Sequence, residues 1–311
     1  MKRLGLVAVL FLAVGSAAMA TPLATAARTV IPKDVQQIIC VDYRTLKASS
    51  TALALKDKVL PPNIKEFETA VRAVGLDPDK DVESLTFASF RAENNSVRMI
   101  GIAQGQFPTK QILRRFKLKK VTPVKYHMSW LYPATAGLQM SFLDDFTMLF
   151  GDDAAIKNAL DARDGYSETL ASNTQMSDLL NSVDDGPVWS VLDQQGTQNM
   201  MHSALGDAAQ LADYNVIKKR LLGSRYTMDF TGGVKFDLDV VTPDAMTATT
   251  LSSLVKAGMM YRRMSANGSE KTALESVSVD SDSSDLRLHF KASDNQFQSL
   301  LQSDLFTAVS R

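Results

Sequence analysis

The sequence predicts an exported α+β protein made of two similar halves, each an antiparallel sheet with helices packed over one face. Three observations point there: an N-terminal export signal, paired segments in which apolar and charged residues alternate, and the same order of elements in both halves of the chain. An elaboration of a ferredoxin-like arrangement fits that order.

The export signal has three zones. Lys2 and Arg3 precede an apolar run from Leu4 to Val14, and the small-residue stretch Ala18-Met19-Ala20 follows. Cleavage is expected before Thr21, with Ala24-Thr25-Ala26 as a second site. The run is shorter than the roughly 20 residues of a membrane span, and no later stretch approaches that length. The mature chain is therefore expected in the periplasm or outside the cell, without a span. Residues 21–33 read as a flexible segment.

Of 311 residues 45% are hydrophobic, which is enough for substantial cores in about two domains. Loss of residues 1–20 leaves 32 basic against 34 acidic residues, a net charge of −2 that selects no partner. Cys40 is the single cysteine, so packing alone must hold the fold. Its setting in Ile38-Ile39-Cys40-Val41 suits a small buried side chain.

The halves are placed at residues 34–163 and 187–311, joined by a linker at 164–186 that holds one short helix near Met176 to Val183. Each half opens with a strand ending in aspartate, Ile38 to Asp42 and Val188 to Asp193, followed by helix. In the second half the helical spacing of Met201, Ala204, Leu205, Ala208, Leu211, Ala212 and Leu221 predicts one long amphipathic helix.

A hairpin comes next. Val234, Phe236, Leu238 and Val240 alternate with Lys235, Asp237 and Asp239 behind the Gly232-Gly233 turn; in the first half Leu85 to Phe90 and Val97 to Ala103 flank Glu93-Asn94-Asn95. Both hairpins lead to a helix through proline, at Phe107-Pro108-Thr109 and at Thr242-Pro243-Asp244, read as N-cap, first-turn proline and early acid. A further hairpin and helix close each half: Leu138 to Phe150 with Ala154 to Ala162, and Val277 to Phe290 with Gln296 to Leu301. The first half adds a strand carrying Tyr126, Met128, Trp130 and Tyr132 on one side.

Through Phe142-Leu143-Asp144-Asp145, Gly151-Asp152-Asp153, Ala159 to Gly165 and Val188-Trp189-Ser190-Val191-Leu192-Asp193, the chain resembles uncharacterised exported proteins of bacteria. The resemblance implies export and a repeated α+β layout. It carries no catalytic residue across.

Chemistry is sparse. There is no GxSxG, and the fragments Ser253-Leu254-Val255-Lys256, Lys271-Thr272-Ala273 and Ser293-Asp294-Asn295 stand in the wrong order for a penicillin-recognising enzyme. His127, His202 and His289 lie at no metal-ligand spacing. The pairs Asp144-Asp145, Asp152-Asp153 and Asp184-Asp185 suit turns and helix caps better than an acid–base pair. Asp280, Asp282 and Asp285 resemble the start of a calcium loop but lack its glycine and closing glutamate. The helical methionines Met200, Met201, Met246, Met259, Met260 and Met264 fit core filling, or else a surface for apolar partners.

Basic residues gather at predicted helix ends: Arg114, Arg115, Lys117, Lys119 and Lys120, then Lys218, Lys219 and Arg220, then Arg262 and Arg263. Helix dipoles favour cations there, and a duplicated fold would place Arg114/Arg115 and Arg262/Arg263 on related surfaces able to bind an anionic partner. The expected function is thus a non-catalytic exported module binding an envelope component, another exported protein, or an apolar or anionic ligand. No cofactor, metal or nucleic acid is expected. The alternatives are a hydrolase with a carboxylate–histidine site and a purely structural envelope protein.

Overall fold

A computed structural model describes residues 23–59, 62–91, 96–135, 137–183, 186–205, 214–266 and 268–301. The export signal, the Glu93-Asn94-Asn95 turn, the Asp184-Asp185 pair and Ala208, Leu211 and Ala212 lie outside the described residues.

Strand-forming segments dominate the layout: β1 (Val35–Asp42), β2 (Val82–Arg91), β3 (Val97–Gly105), β4 (Val124–Tyr126), β5 (Ser129–Pro133), β6 (Leu138–Phe142), β7 (Thr147–Asp152), β8 (Val188–Leu192), β9 (Gly223–Asp229), β10 (Val234–Val241), β11 (Val277–Asp282) and β12 (Asp285–Ala292). They form one twelve-stranded sheet in the order β11-β12-β10-β9-β8-β1-β2-β3-β7-β6-β5-β4. The chain is therefore α+β around a single large antiparallel sheet. At its centre β1 pairs antiparallel with β8, Ile38 opposite Val191 and Cys40 opposite Trp189.

Two layers of helix cover β1, β2, β3 and β7, which corrects the expectation of helices on one face. The reason lies in the strands, which are apolar at both parities. One face presents Ile38, Cys40, Ala88, Phe90, Ile100, Ile102 and Leu149, buried beneath helices Thr25–Val30, Asp153–Arg163 and Thr174–Asn181. The opposite face presents Phe87, Met99, Met148 and Phe150 to helices Pro62–Ala73 and Thr109–Leu118. In β9, β10 and β12 the second face is apolar and the first, Val241 apart, carries a charge ladder: Arg225 to Asp239 at 3.0 Å and to Asp285 at 3.1 Å, and Arg287 to Asp282 at 2.9 Å.

Several local expectations change. Within the segment read as flexible, Thr25–Val30 is helical, and Ala27, Val30 and Ile31 are fully buried because they meet the core of the first face. The linker's short helix, Thr174–Asn181, joins the same core through Met176, Leu179 and Leu180. The single strand expected around Tyr126 to Tyr132 is the hairpin β4–β5, turned where His127 adopts φ +49°. Its alternation is broken there, leaving Met128 and Trp130 exposed. The long helix expected to end at Lys218, Lys219 and Arg220 is described as helix Gln194–Leu205, helix Tyr214–Ile217 and a 3-10 turn over Lys218–Arg220.

Asp244, not Thr242, caps helix Ala245–Ser265, accepting from the Thr247 amide at 2.8 Å. The aspartates that end the two central strand segments are caps as well. Asp42 accepts from the Thr45 amide at 3.1 Å and Asp193 from the Gly196 amide at 2.6 Å.

Candidate functional site: an apolar slot across the sheet

The second face of the sheet does not close against its helices. Between them runs a cavity of about 890 Å³. Its floor takes Val277, Leu288, Phe236, Tyr226 and Val188 from β11, β12, β10, β9 and β8, and Ile39, Leu85, Met99 and Phe150 from β1, β2, β3 and β7. Those are nine consecutive positions in the strand order. At about 4.8 Å per strand, eight steps make a slot roughly 38 Å long.

The roof comes from both portions of the chain. Helices Ser50–Val59 and Pro62–Ala73 supply Ala52, Leu55, Ile64, Phe67 and Val71; helices Ala245–Ser265, Gly268–Glu275 and Asp294–Leu301 supply Val255, Met259, Leu274, Phe297 and Leu300. At the β7 end Phe67 stacks on Phe150, with centroids 4.7 Å apart and planes 15° apart. Phe150 in turn lies on Gly101, where an added Cβ would sit 2.2 Å from its ring.

Side-chain exposure tracks the void. Ile38, Cys40, Ala88 and Ile100 on the first face are at most 1% exposed, whereas Ile39, Phe87, Met99, Met228, Phe236 and Leu288 on the slot side are only half-buried. These are large apolar side chains whose free surface faces the cavity. Ionisable groups in the lining are few: Tyr43, Lys56, Glu68, Tyr226 and Arg262. Lys56 Nζ lies 3.3 Å from Glu68 and 5.9 Å from the centre of the Tyr43 ring. The Tyr43 hydroxyl donates to Asp79 at 3.1 Å, and burial, then the Asp79 and Glu68 charges, push its pKa up. Burial also raises the Tyr226 pKa.

The basic residues singled out in sequence do not converge. Arg114, Arg115, Lys117, Lys119 and Lys120 are exposed at the end of the helix that packs Ile112 and Phe116 beneath it, near β3. Arg115 lies over Gly75, and Lys119 Nζ donates to the Ala73 carbonyl at 3.0 Å. Arg262 and Arg263 end a helix that packs on β11 and β12, several strands away. Of these residues Arg262 alone lines the slot, while Arg263 Nη2 donates to the Leu274 carbonyl.

Two carboxylate–histidine pairs form away from the slot. His127 Nε2 is 2.9 Å from Asp161, which also accepts from the Tyr126 hydroxyl at 2.9 Å; His289 Nδ1 is 2.5 Å from Asp237 on the charged outer face. Neither pair has a serine, threonine or cysteine among its described hydrogen-bond partners. Among the described residues no group of three His, Cys, Asp or Glu could hold a metal ion. Cys40 is buried, with the Thr86 hydroxyl 3.8 Å from its sulfur.

No family profile and no curated protein matches the chain. Among solved structures it is similar in fold to crystal form I of TP0453, with 9% identity, a TM-score of 0.50, and coverage of 92% of this chain and 99% of that one. Crystal form III of TP0453 aligns at 7% identity and a TM-score of 0.48, over 88% and 96% of the two chains. At such identity the likeness concerns fold alone.

Sequence reading missed the slot because a void between layers leaves no local motif. The available signal was composition: Phe87, Met99, Met148, Phe150, Met228, Phe236 and Phe290 put bulky aromatic and thioether side chains along one face of six strands.

Proposed function

We propose that the protein is a non-catalytic carrier for long apolar molecules, exported to the cell envelope. The observation that carries this reading is the slot of about 890 Å³, within the range of roughly 300–1,000 Å³ expected of ligand pockets, with a lining that is almost wholly aliphatic, aromatic and thioether. Its length and continuity suit an extended hydrocarbon chain better than a compact ring system. Core packing gives no reason to keep it. An apolar occupant would replace water along the floor, gaining roughly 25 cal/mol for each Å² of apolar surface covered.

Export rests on Lys2, Arg3, the Leu4 to Val14 run and Ala18-Met19-Ala20. Among the described residues no helix is long and apolar enough to cross a membrane. We also read the chain as an internal duplication. The strand order supports this: outward from the β1–β8 pair it runs β1-β2-β3-β7-β6 on one side and β8-β9-β10-β12-β11 on the other. The closing helices depart from the repeat, since Asp153–Arg163 packs on the first face and Asp294–Leu301 roofs the slot.

Titration with a neutral, environment-sensitive naphthylamine probe tests the carrier reading. The wild-type chain is expected to bind it saturably. Met228→Trp, which places an indole in mid-slot, is expected to weaken binding by at least about tenfold while leaving the fold intact. Equal binding by both proteins, or none by wild type, would overturn the reading.

A further inference from the structure

We infer that helix Thr109–Leu118 and the β4–β5 hairpin beside it form a docking surface for a lipid bilayer with anionic headgroups. None of these residues lines the slot, and the inference stands independently of the carrier reading.

Charge is concentrated here in a chain that is neutral as a whole. Residues 94–143 contain no aspartate or glutamate, and seven lysines and arginines fall within residues 110–125, against a formal net charge of zero for all 311 residues. All seven are exposed. Arg98, the remaining cation of the stretch, is paired with Asp152 at 3.0 Å. Arg115 and Lys119 turn toward helix Pro62–Ala73, over Gly75 and onto the Ala73 carbonyl. Lys110, Arg114, Lys117, Lys120 and Lys125 make no side-chain hydrogen bond or ion pair among the described residues. Neighbouring acids are engaged or set apart: Arg72 holds Asp77 and Asp79 at 2.7 Å, and Asp144 and Asp145 stand at the N-terminal end of the helix, where the Phe107 amide donates to the Asp145 carbonyl at 2.8 Å.

Helical spacing turns the free cations outward together. Ile112 and Phe116 are buried, so Lys110, Arg114, Lys117 and Leu118 share the opposite side of the helix. The chain then turns at Lys120, whose φ of +55° is one that glycine adopts more readily. The hairpin adds an apolar part. Tyr132 stacks on Phe116 with centroids 5.1 Å apart, which puts this face of β5 on the helix side of the sheet. Trp130, two residues back along the strand, projects to the same side and pairs across the hairpin with Lys125. Trp130 is 47% and Leu118 75% exposed. An indole and an aliphatic group among unpaired cations match a bilayer interface, where phosphates meet the cations and large apolar side chains reach the acyl boundary. A soluble polyanion would use the cations and leave Leu118 and Trp130 in water.

The test is cosedimentation of the full chain with vesicles of phosphatidylcholine alone and of equal parts phosphatidylcholine and phosphatidylglycerol, repeated with brominated acyl chains. Wild type should bind the mixed vesicles, bind phosphatidylcholine far more weakly, and be released as salt rises. Each cation near an anionic surface contributes about fivefold, so Arg114→Gln, Lys117→Gln and Lys120→Gln together should weaken binding by at least about thirtyfold. These exposed changes should leave thermal unfolding nearly unaltered. The same charge loss at exposed lysines elsewhere, Lys219→Gln, Lys256→Gln and Lys291→Gln, should weaken binding by less than about threefold. Trp130 and the buried Trp189 are the two tryptophans; brominated lipid should quench Trp130 alone, and Trp130→Phe should abolish the quenching. Equal weakening by the two triple variants would overturn the inference, since charge would then act without a defined surface. Vesicle binding without quenching, or equally tight binding of soluble polyglutamate, would overturn the bilayer as occupant in favour of an anionic polymer. No binding to the mixed vesicles would overturn the inference outright and leave the carrier reading standing.

Discussion

Thr51 donates its hydroxyl to Oδ1 of Asp294 at 2.5 Å, joining two roof helices that lie 243 residues apart in sequence. Thr51 is fully buried, and its neighbour Ala52 and the nearby Phe297 both line the slot. The contact therefore fastens the roof where the two portions of the chain meet. Thr51→Val keeps the shape and removes the donor, so it should cost about 1–2 kcal/mol in urea unfolding. It should also speed release of a bound apolar probe in stopped-flow mixing. Unchanged stability and release would mean that the contact does not hold the roof.

Phe67 and Phe150 close the β7 end. Phe67→Ala removes a ring that is 5% exposed and stacked on its partner, and should cost about 3 kcal/mol. Because the lost volume adjoins the slot, the variant should gain affinity for a bulkier apolar probe relative to wild type. Titration of both proteins with a branched and an unbranched probe checks this.

How legible these features were differs by type. Alternation in Val234 to Val240 located β10 to the residue at its start, and the strand-ending Asp42 and Asp193 marked helix starts because a carboxylate that accepts an amide proton is a local device. The double helical cover was written in Ile38-Ile39-Cys40-Val41, apolar at both parities, yet a single short run cannot show that both faces are buried. The turn at His127 was hidden because a non-glycine residue supplies the positive φ. Arg262 was noted for its charge alone. Its place at the slot depends on which helix face meets β11, a tertiary fact that charge spacing does not encode.

Gly75 has φ +89°, and an added Cβ would lie 1.2 Å from Nη1 of Arg115. Gly75→Ala should therefore lose roughly 1–3 kcal/mol from backbone strain, with a further loss from displacing the guanidinium. Adding Arg115→Ala should recover the steric part only. Thermal unfolding of the single and double variants separates the two.

Asp79 gives the pH dependence a definite sign. The Arg72 hydrogen bond at 2.7 Å, and then that from Tyr43, hold its carboxyl below the usual carboxylate value. The unfolded chain then binds the proton more readily, so the stabilisation is complete above the unfolded pKa and is lost as pH falls through the folded one. Both partners are about half exposed, so the effect should stay within about 1 kcal/mol. Asp79→Asn should flatten the acid limb of a stability–pH curve and leave stability at pH values above neutrality least dependent on proton concentration. An acid limb identical to wild type would contradict the assignment.

The measurement that bears most directly on the carrier account is contact quenching by a brominated acyl chain. Reporters are placed at Phe87→Trp on β2 and Phe236→Trp on β10, both lining the slot on opposite sides of the β1–β8 pair. Trp189, buried on the first face, serves as the internal control. The account predicts that one saturating ligand quenches both reporters over the same concentration range and spares Trp189. Quenching of neither reporter, or of Trp189 as strongly as the two, would contradict it.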